Sequence, residues 1–125
     1  MNTRITSQVK KDYLAALKLI ATENKWTQGA LAVDDIGCYV DPRHSSACRF
    51  CSLGAIIKIT GAASFRYYEL FNILNNFFNR NGLKSLVAFN DTESYHNVIE
   101  RWINFGKHYK ILPESFTLGD PIPKV

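Results

Sequence analysis

The segment that decides the fold is predicted to be a buried helix over residues 47–59, which have the sequence ACRFCSLGAIIKI. Apolar side chains lie on nearly every face of this helix, and a helix of that kind belongs inside a domain. Ser45 or Ser46 is the candidate N-cap, and Gly61 is the candidate end of the helix. We therefore expect the remaining elements to pack around this segment.

One further helix is predicted on each side of this segment. Residues 5–23 place apolar side chains at i, i+4, i+7, i+8 and i+11 from Val9, which is one face of a helix. Residues 64–82 begin at Ser64, repeat aromatic and Leu side chains at spacings of three and four, and end at Asn81 and Gly82. We expect the aromatic stripe of this helix to lie in the core.

A short turn and a last helix are predicted toward the C-terminus. Residues 83–87 indicate the turn. Asn90 or Asp91 is the candidate cap of the last helix, because Asn90 and Glu93 have the spacing of a capping box. The helix is expected to end at Gly106.

The insert between the first two helices has a different pattern. Residues 26–46 carry Gly, Asp and Pro between short apolar pairs, and residues 30–33 and 38–40 are predicted to form a small hairpin. The fold class is therefore mainly α, a compact bundle of about four helices with a small β-hairpin or irregular insert between helices 1 and 2. Residues 1–112 form the single helical domain, and residues 113–125 form a Pro-containing tail that either wraps the domain or frays.

The composition bounds the class of protein. The chain has 125 residues, of which 46% are hydrophobic and 21% charged, so it is long enough for one domain with a real core. No apolar run approaches the roughly 18 residues of a membrane span, and no segment resembles a signal peptide. The odd number of cysteines, 3, fits a reducing compartment. We expect a cytoplasmic protein that does not bind membranes.

The basic excess gives one functional alternative. The net charge is +4. Most of it lies in the first helix, because residues 1–25 hold five basic and two acidic side chains, a difference of +3. A solvated helix face is the favoured interpretation, and a nucleic-acid-binding accessory protein is the alternative. The residues of that alternative interface are Arg4, Lys10, Lys11 and Lys18.

The cysteines give a second set of alternatives. The spacing C-x5-H-x3-C-x2-C is compatible with a structural zinc site, and its C-x-x-C half is also compatible with a redox pair. The favoured interpretation is unligated thiols and no cofactor, because buried cysteines are common as small apolar residues. The low-probability zinc set is Cys38, His44, Cys48 and Cys51.

Cys51 is also a candidate nucleophile. A thiol at the start of a helix is expected to have a lowered pKa, which favours the reactive thiolate. His96 or His44 is the candidate base, and Asn90 or Asp91 the candidate orienting group. A Cys51-dependent hydrolase or transferase is therefore the second hypothesis for function.

Three short motifs resemble a family of small, functionally uncharacterised proteins from phages and bacteria. The motifs are W-x-Q-G-A at residues 26–30, C-x-x-G-A at residues 51–55, and W-N-D, for which this chain has Phe89 in place of Trp before Asn90 and Asp91. Their order and spacing make the resemblance specific over about residues 13–105. It implies an uncharacterised helical protein and no known activity.

The motif residues admit two interpretations. They are either architectural, with Gly54 and Ala55 allowing close backbone approach, or they converge in a polar pocket beside the central helix. The leading hypothesis is architecture and a non-enzymatic interaction protein, phage-encoded by resemblance and acting in the host cytoplasm. Its partner would be a host or phage protein complex, for instance a bacterial defence system that it modulates or inhibits. The candidate pocket residues are Trp26, Gln28, Cys51, Asn90 and Asp91.

Overall fold

The computed structural model describes residues 4–82 and 84–124 of the chain. These residues form five α-helices and one antiparallel pair of short strands. The strands β1 (Ala32–Val33) and β2 (Arg49–Phe50) lie between the first two helices. The mainly helical fold with a small β element in this place is therefore as predicted. The helices are α1 (Ser7–Leu19), α2 (Ser52–Thr60), α3 (Phe65–Phe78), α4 (Leu86–Thr92) and α5 (Tyr95–His108).

The central position of α2 is confirmed. This helix packs against α1, α3 and α4, and Ala55 and Ile56 in it are fully buried. The last helix closes the core over α1, where the rings of Tyr13 and Trp102 stack with their centroids 5.9 Å apart. Among the described residues, no helix is both long enough and apolar enough to cross a membrane.

The prediction of about four helices is wrong by one, because the segment expected to be a turn forms α4. Ser85 caps this helix by accepting a hydrogen bond from the Ala88 N–H at 3.3 Å. Glu93 then takes an extended conformation, with ψ 162, and separates α4 from α5. Leu83, which was assigned to the turn, lies outside the described residues.

The predicted cap of the last helix is also wrong. Asn90 and Asp91 belong to the last turns of α4, and Ser94 is the N-cap of α5, where its hydroxyl accepts from the Asn97 N–H. Asn90 cannot serve in a capping box because its side chain is turned into the core, where it is 1% exposed.

The central helix begins five residues later than predicted. Cys51, not Ser45 or Ser46, is its N-cap, and residues 47–51 precede the helix, with Arg49–Phe50 forming β2. The reason is tertiary: β2 pairs with β1 in the register Ala32 to Phe50, which removes these residues from the helix. The predicted hairpin partner, residues 38–40, contacts the other edge of β1 through a single bridge between Val33 and Tyr39.

The C-terminal tail packs against the domain. Phe116 is 5% exposed, and Ile122 is partly buried against the same core. The tail leaves α5 at a tight turn in which the Ile111 and Leu112 N–H groups both donate to the Gly106 carbonyl. The sequence left open whether the tail wraps the domain or frays, and in the structure residues 113–124 wrap it.

Gly54 confirms the expectation of close backbone approach. A Cβ atom at this position would lie 1.8 Å from the Leu31 carbonyl oxygen, so any side chain collides with backbone. The Cys51 N–H donates to the same oxygen at 3.1 Å. The insert is thus seated directly on the first turn of α2.

We expect Gly54→Ala to lower the free energy of unfolding by about 3 kcal/mol or more, because the added methyl group displaces the Leu31 backbone. Urea unfolding followed by circular dichroism measures the change. Lys58→Ala, on a less buried side of the same helix, is the control, and we expect it to change stability by less than about 0.5 kcal/mol. Equal effects of the two substitutions would contradict the close approach.

Candidate functional site

The Asn90 side chain is the centre of a buried hydrogen-bond network. Its Oδ1 atom accepts from Trp26 Nε1 at 2.8 Å, from the Ser52 N–H at 2.9 Å and from the Ser52 hydroxyl at 2.8 Å. Its Nδ2 atom donates to the Thr27 carbonyl at 3.1 Å and to Asp91 Oδ1 at 3.2 Å. One carboxamide thus binds the insert and the otherwise unpaired N–H at the start of α2.

Ser52 extends this network to the last helix. Its hydroxyl donates to Asn90 and accepts from Trp102 Nε1 at 2.9 Å. The indole N–H groups of Trp26 and Trp102, the two tryptophans of the chain, therefore both donate to this network. The side chain of Ser52 is completely buried. Ser52 is not among the candidate residues predicted from the sequence, although a serine within an otherwise apolar helical segment is a signal for a buried polar contact.

The segment after Trp26 is held over the end of α4. Gln28 Nε2 donates to the Asn90 carbonyl at 3.0 Å and to the Glu93 carbonyl at 2.7 Å, which are free acceptors at the end of that helix. The Gly29 N–H donates to Asp91 Oδ1 at 3.1 Å. The motif residues therefore do converge, as one of the two interpretations expected, but their amide groups are occupied by bonds within the protein.

A shallow groove lies beside this network. Its volume is about 210 Å³. Cys51 and Asp91 are its lining residues with polar side chains, and the exposed apolar side chains of Leu31 and Val87 also line it. Trp26, Gln28 and Asn90 do not line it. The lining residues are Gly29, Ala30, Leu31, Cys51, Leu53, Val87 and Asp91.

The expected activation of Cys51 is not supported. Burial raises the pKa of the Cys51 thiol above its ordinary value, and the hydrogen bond from the Gly54 N–H at 3.2 Å offsets this only in part. The helix start was expected to lower this pKa, but the thiol is 6% exposed and desolvation dominates. The candidate base His96 pairs with Glu100 at 2.7 Å on α5, and it lines a different groove.

The four residues of the low-probability zinc set are not brought together. Cys38 and Cys48 are exposed, whereas Cys51 is buried as the cap of α2. His44 is engaged locally, since its Nδ1 atom accepts from the Ser46 N–H at 3.0 Å. Within residues 4–82 and 84–124, no three His, Cys, Asp or Glu side chains are placed to hold a metal ion.

The basic residues of the alternative nucleic-acid interface are all exposed. Lys10, Lys11 and Lys18 belong to α1, and Arg4 precedes it. Lys11 and Lys18 line a groove formed with the C-terminal tail. Two of the four residues, Lys11 and Lys18, therefore line one groove, and Arg4 and Lys10 do not line it.

We expect Asn90→Ala to lower the free energy of unfolding by about 3 kcal/mol or more, because it leaves the Trp26 indole and the Ser52 N–H buried without an acceptor. Chemical unfolding followed by tryptophan fluorescence measures the loss. Asn76→Ala, at an exposed position of α3, is the matched control and should change stability by less than about 0.5 kcal/mol. A similar loss in both variants would contradict the central role of Asn90.

We expect thiol labelling to divide the cysteines into two classes. Cys38 and Cys48 are exposed and should react quickly with an aromatic disulfide reagent near neutral pH. Cys51 should react only when the protein unfolds, because its burial and raised pKa disfavour the thiolate. Mass spectrometry of the labelled peptides assigns each rate, with labelling in denaturant as the control. Faster labelling of Cys51 than of Cys38 would revive the nucleophile hypothesis.

The chain was compared with protein families, curated proteins and solved structures. Residues 5–100 match a family of unknown function, DUF6197. No curated protein and no solved structure matches the chain. The predicted resemblance to an uncharacterised family is therefore confirmed, and the chain belongs to the family of unknown function DUF6197.

Proposed function

We propose that this protein is a non-enzymatic protein-binding module that recognises its partner through residues 34–41, which we call the tip. The observation that carries the proposal is the exposure of two large apolar side chains there. Ile36 is 80% exposed and Tyr39 is 79% exposed. Aromatic and large aliphatic side chains of this kind dominate the energy of protein interfaces once they are buried by a partner.

The tip is a closed turn. Asp34 Oδ1 accepts from the Ile36 N–H at 3.1 Å and from the Cys38 N–H at 2.8 Å. The Asp34 backbone closes the same turn by donating to the Cys38 carbonyl and accepting from Gly37. Gly37 has φ +88, a conformation that favours glycine. A turn ordered in this way loses little conformational entropy on binding, which favours recognition.

The tip is also fixed to the body of the protein. The Val40 N–H donates to the Ala32 carbonyl in β1 at 3.2 Å, and the next carbonyl toward the N-terminus, that of Leu31, accepts from the cap of α2. The first residue of α2, Ser52, is hydrogen-bonded to Asn90. The tip is therefore connected through β1 and α2 to the buried Asn90 network. The network residues therefore support recognition by positioning the insert.

The chemistry of the remaining candidates favours binding over catalysis. The carboxamides of Asn90 and Gln28 are used within the protein, and the pKa of the Cys51 thiol is raised. An inhibitor of a bacterial defence complex, which is one form of the leading hypothesis, would act in the proposed way, by covering a surface of its target. The proposal requires only that the partner is a protein and that the tip contacts it.

The test is affinity capture from bacterial lysate with the wild-type chain and with Ile36→Ser/Tyr39→Ser, the tip variant. The partner enriched by the wild type is then purified, and its dissociation constant is measured for both. We expect the tip variant to bind at least about tenfold more weakly, since it removes two anchor side chains.

Phe65→Ser is the matched control, because Phe65 is 81% exposed but lies at the start of α3. We expect this variant to bind as the wild type does. The proposal fails if the tip variant retains full affinity, or if the Phe65 and tip variants lose affinity equally.

A further inference from the structure

A groove between α1 and the tail, which we call the lysine groove, combines an apolar floor with positive charge. Its volume is about 420 Å³, within the range of about 300–1,000 Å³ that is typical of binding pockets. Leu14, which is 4% exposed, and Ile122 provide apolar surface. The lining residues are Lys11, Leu14, Ala15, Lys18, Ile122, Pro123 and Lys124.

The charge of the lysine groove is uncompensated among the described residues. Within residues 4–82 and 84–124, none of Lys11, Lys18 and Lys124 makes a salt bridge, and no carboxylate side chain lines the groove. Asp12, which follows Lys11, is buried and bonded instead to Arg66. Lys11 and Lys18 are seven residues apart on one helix, which separates them by about 10 Å along its axis. The groove therefore favours an apolar segment flanked by carboxylates.

The tip of this same chain has that chemistry. Residues 34–41 contain three Asp and no Lys or Arg, within a chain whose net charge is +4. Asp35 and Asp41 are exposed and flank the exposed Ile36 and Tyr39. The tip thus pairs negative charge with apolar surface, as the lysine groove pairs positive charge with apolar surface.

We propose that the lysine groove binds the tip of a second copy of this chain. The inference rests on the proposed function in one respect, since it uses the tip, to which the proposed function assigns a protein partner, as the segment that binds the groove. Ile36 or Tyr39 covers the apolar floor formed by Leu14 and Ile122. The carboxylates of Asp35 and Asp41 pair with the lysine ammonium groups.

A protein segment suits the lysine groove better than a nucleic acid does. Among the described residues, no aromatic ring and no arginine lines the groove, so these residues offer no surface for base stacking. An aliphatic floor contributes to binding only when it is covered by apolar side chains. Ile36 and Tyr39 are apolar side chains of that kind, whereas a phosphate backbone has none.

The contact joins two different surfaces, so it is head to tail. Each bound pair keeps one free tip and one free groove, and association continues until a ring closes or a filament grows. A tip held in a neighbouring groove is unavailable to another partner. Self-association would therefore regulate the proposed function by competing for the tip.

The experiment is sedimentation velocity of the purified full chain over a range of concentrations and salt. We expect the wild type to associate as concentration rises, and more strongly at low salt because the lysines are exposed. The tip variant and the groove variant, Lys11→Glu/Lys18→Glu, should each weaken association by at least about tenfold. Lys10→Glu/Lys25→Glu makes the same charge change outside the groove and should associate as the wild type does.

An equimolar mixture of the two variants gives the most specific result. The tip variant keeps an intact groove, and the groove variant keeps an intact tip. Only one kind of contact can form between them, so we expect a one-to-one dimer that grows no further. Circular dichroism checks the fold of both, and Tyr39→Ser and Lys18→Glu alone replace any double variant that does not fold.

Three results would overturn the inference. They are a wild type that stays monomeric at its highest soluble concentration, a groove variant that associates like the wild type, and a mixture that forms no dimer from folded variants. Loss of binding to a single-stranded oligonucleotide in the groove variant, without a change in association, would assign the groove to nucleic acid instead. If the tip variant still loses its lysate partner while the wild type is monomeric, this inference fails and the proposed function stands.

Discussion

The Asn90 carboxamide joins parts of the chain that are far apart in sequence. Its oxygen accepts from Trp26 and from Ser52, and Ser52 continues the network to Trp102 in the last helix. In a buried environment each of these polar groups is costly if it is left unpaired, so the arrangement is stable only when all of them meet. The network therefore specifies where the insert, α2 and α5 lie relative to one another.

The position of the insert follows from this network. The Leu31 backbone lies against Gly54 at a distance that excludes any side chain, and the strand that follows carries the tip. The burial of the core stabilises the fold and fixes the position of the tip. Ile36 and Tyr39 can therefore remain exposed to solvent without unfolding the domain. Buried polar groups and exposed apolar groups are the informative exceptions in such a domain.

Local patterns predicted the elements better than their ends. The buried helix, its end at Gly61 and the start of the next helix at Ser64 follow from apolar periodicity and from residue types with strong backbone preferences. The start of the same helix could not be predicted, because Arg49 and Phe50 continue the helical periodicity but pair with β1. The predicted direction of the Cys51 pKa was wrong for a similar reason. A helix start favours a lowered pKa, whereas burial of the thiol raises it.

The sequence by itself determined the mainly helical class, the buried central helix, the insert after α1 and membership of an uncharacterised family. Only the tertiary structure decided what the motif residues do. Asn90 has the spacing of a helix cap, yet its partners lie 38 and 64 residues away in sequence. A local pattern records which bonds a side chain can make with its neighbours. It contains no information on buried donors that folding brings to the same atom, and those donors decide the conformation because leaving them unpaired costs more than losing a surface cap.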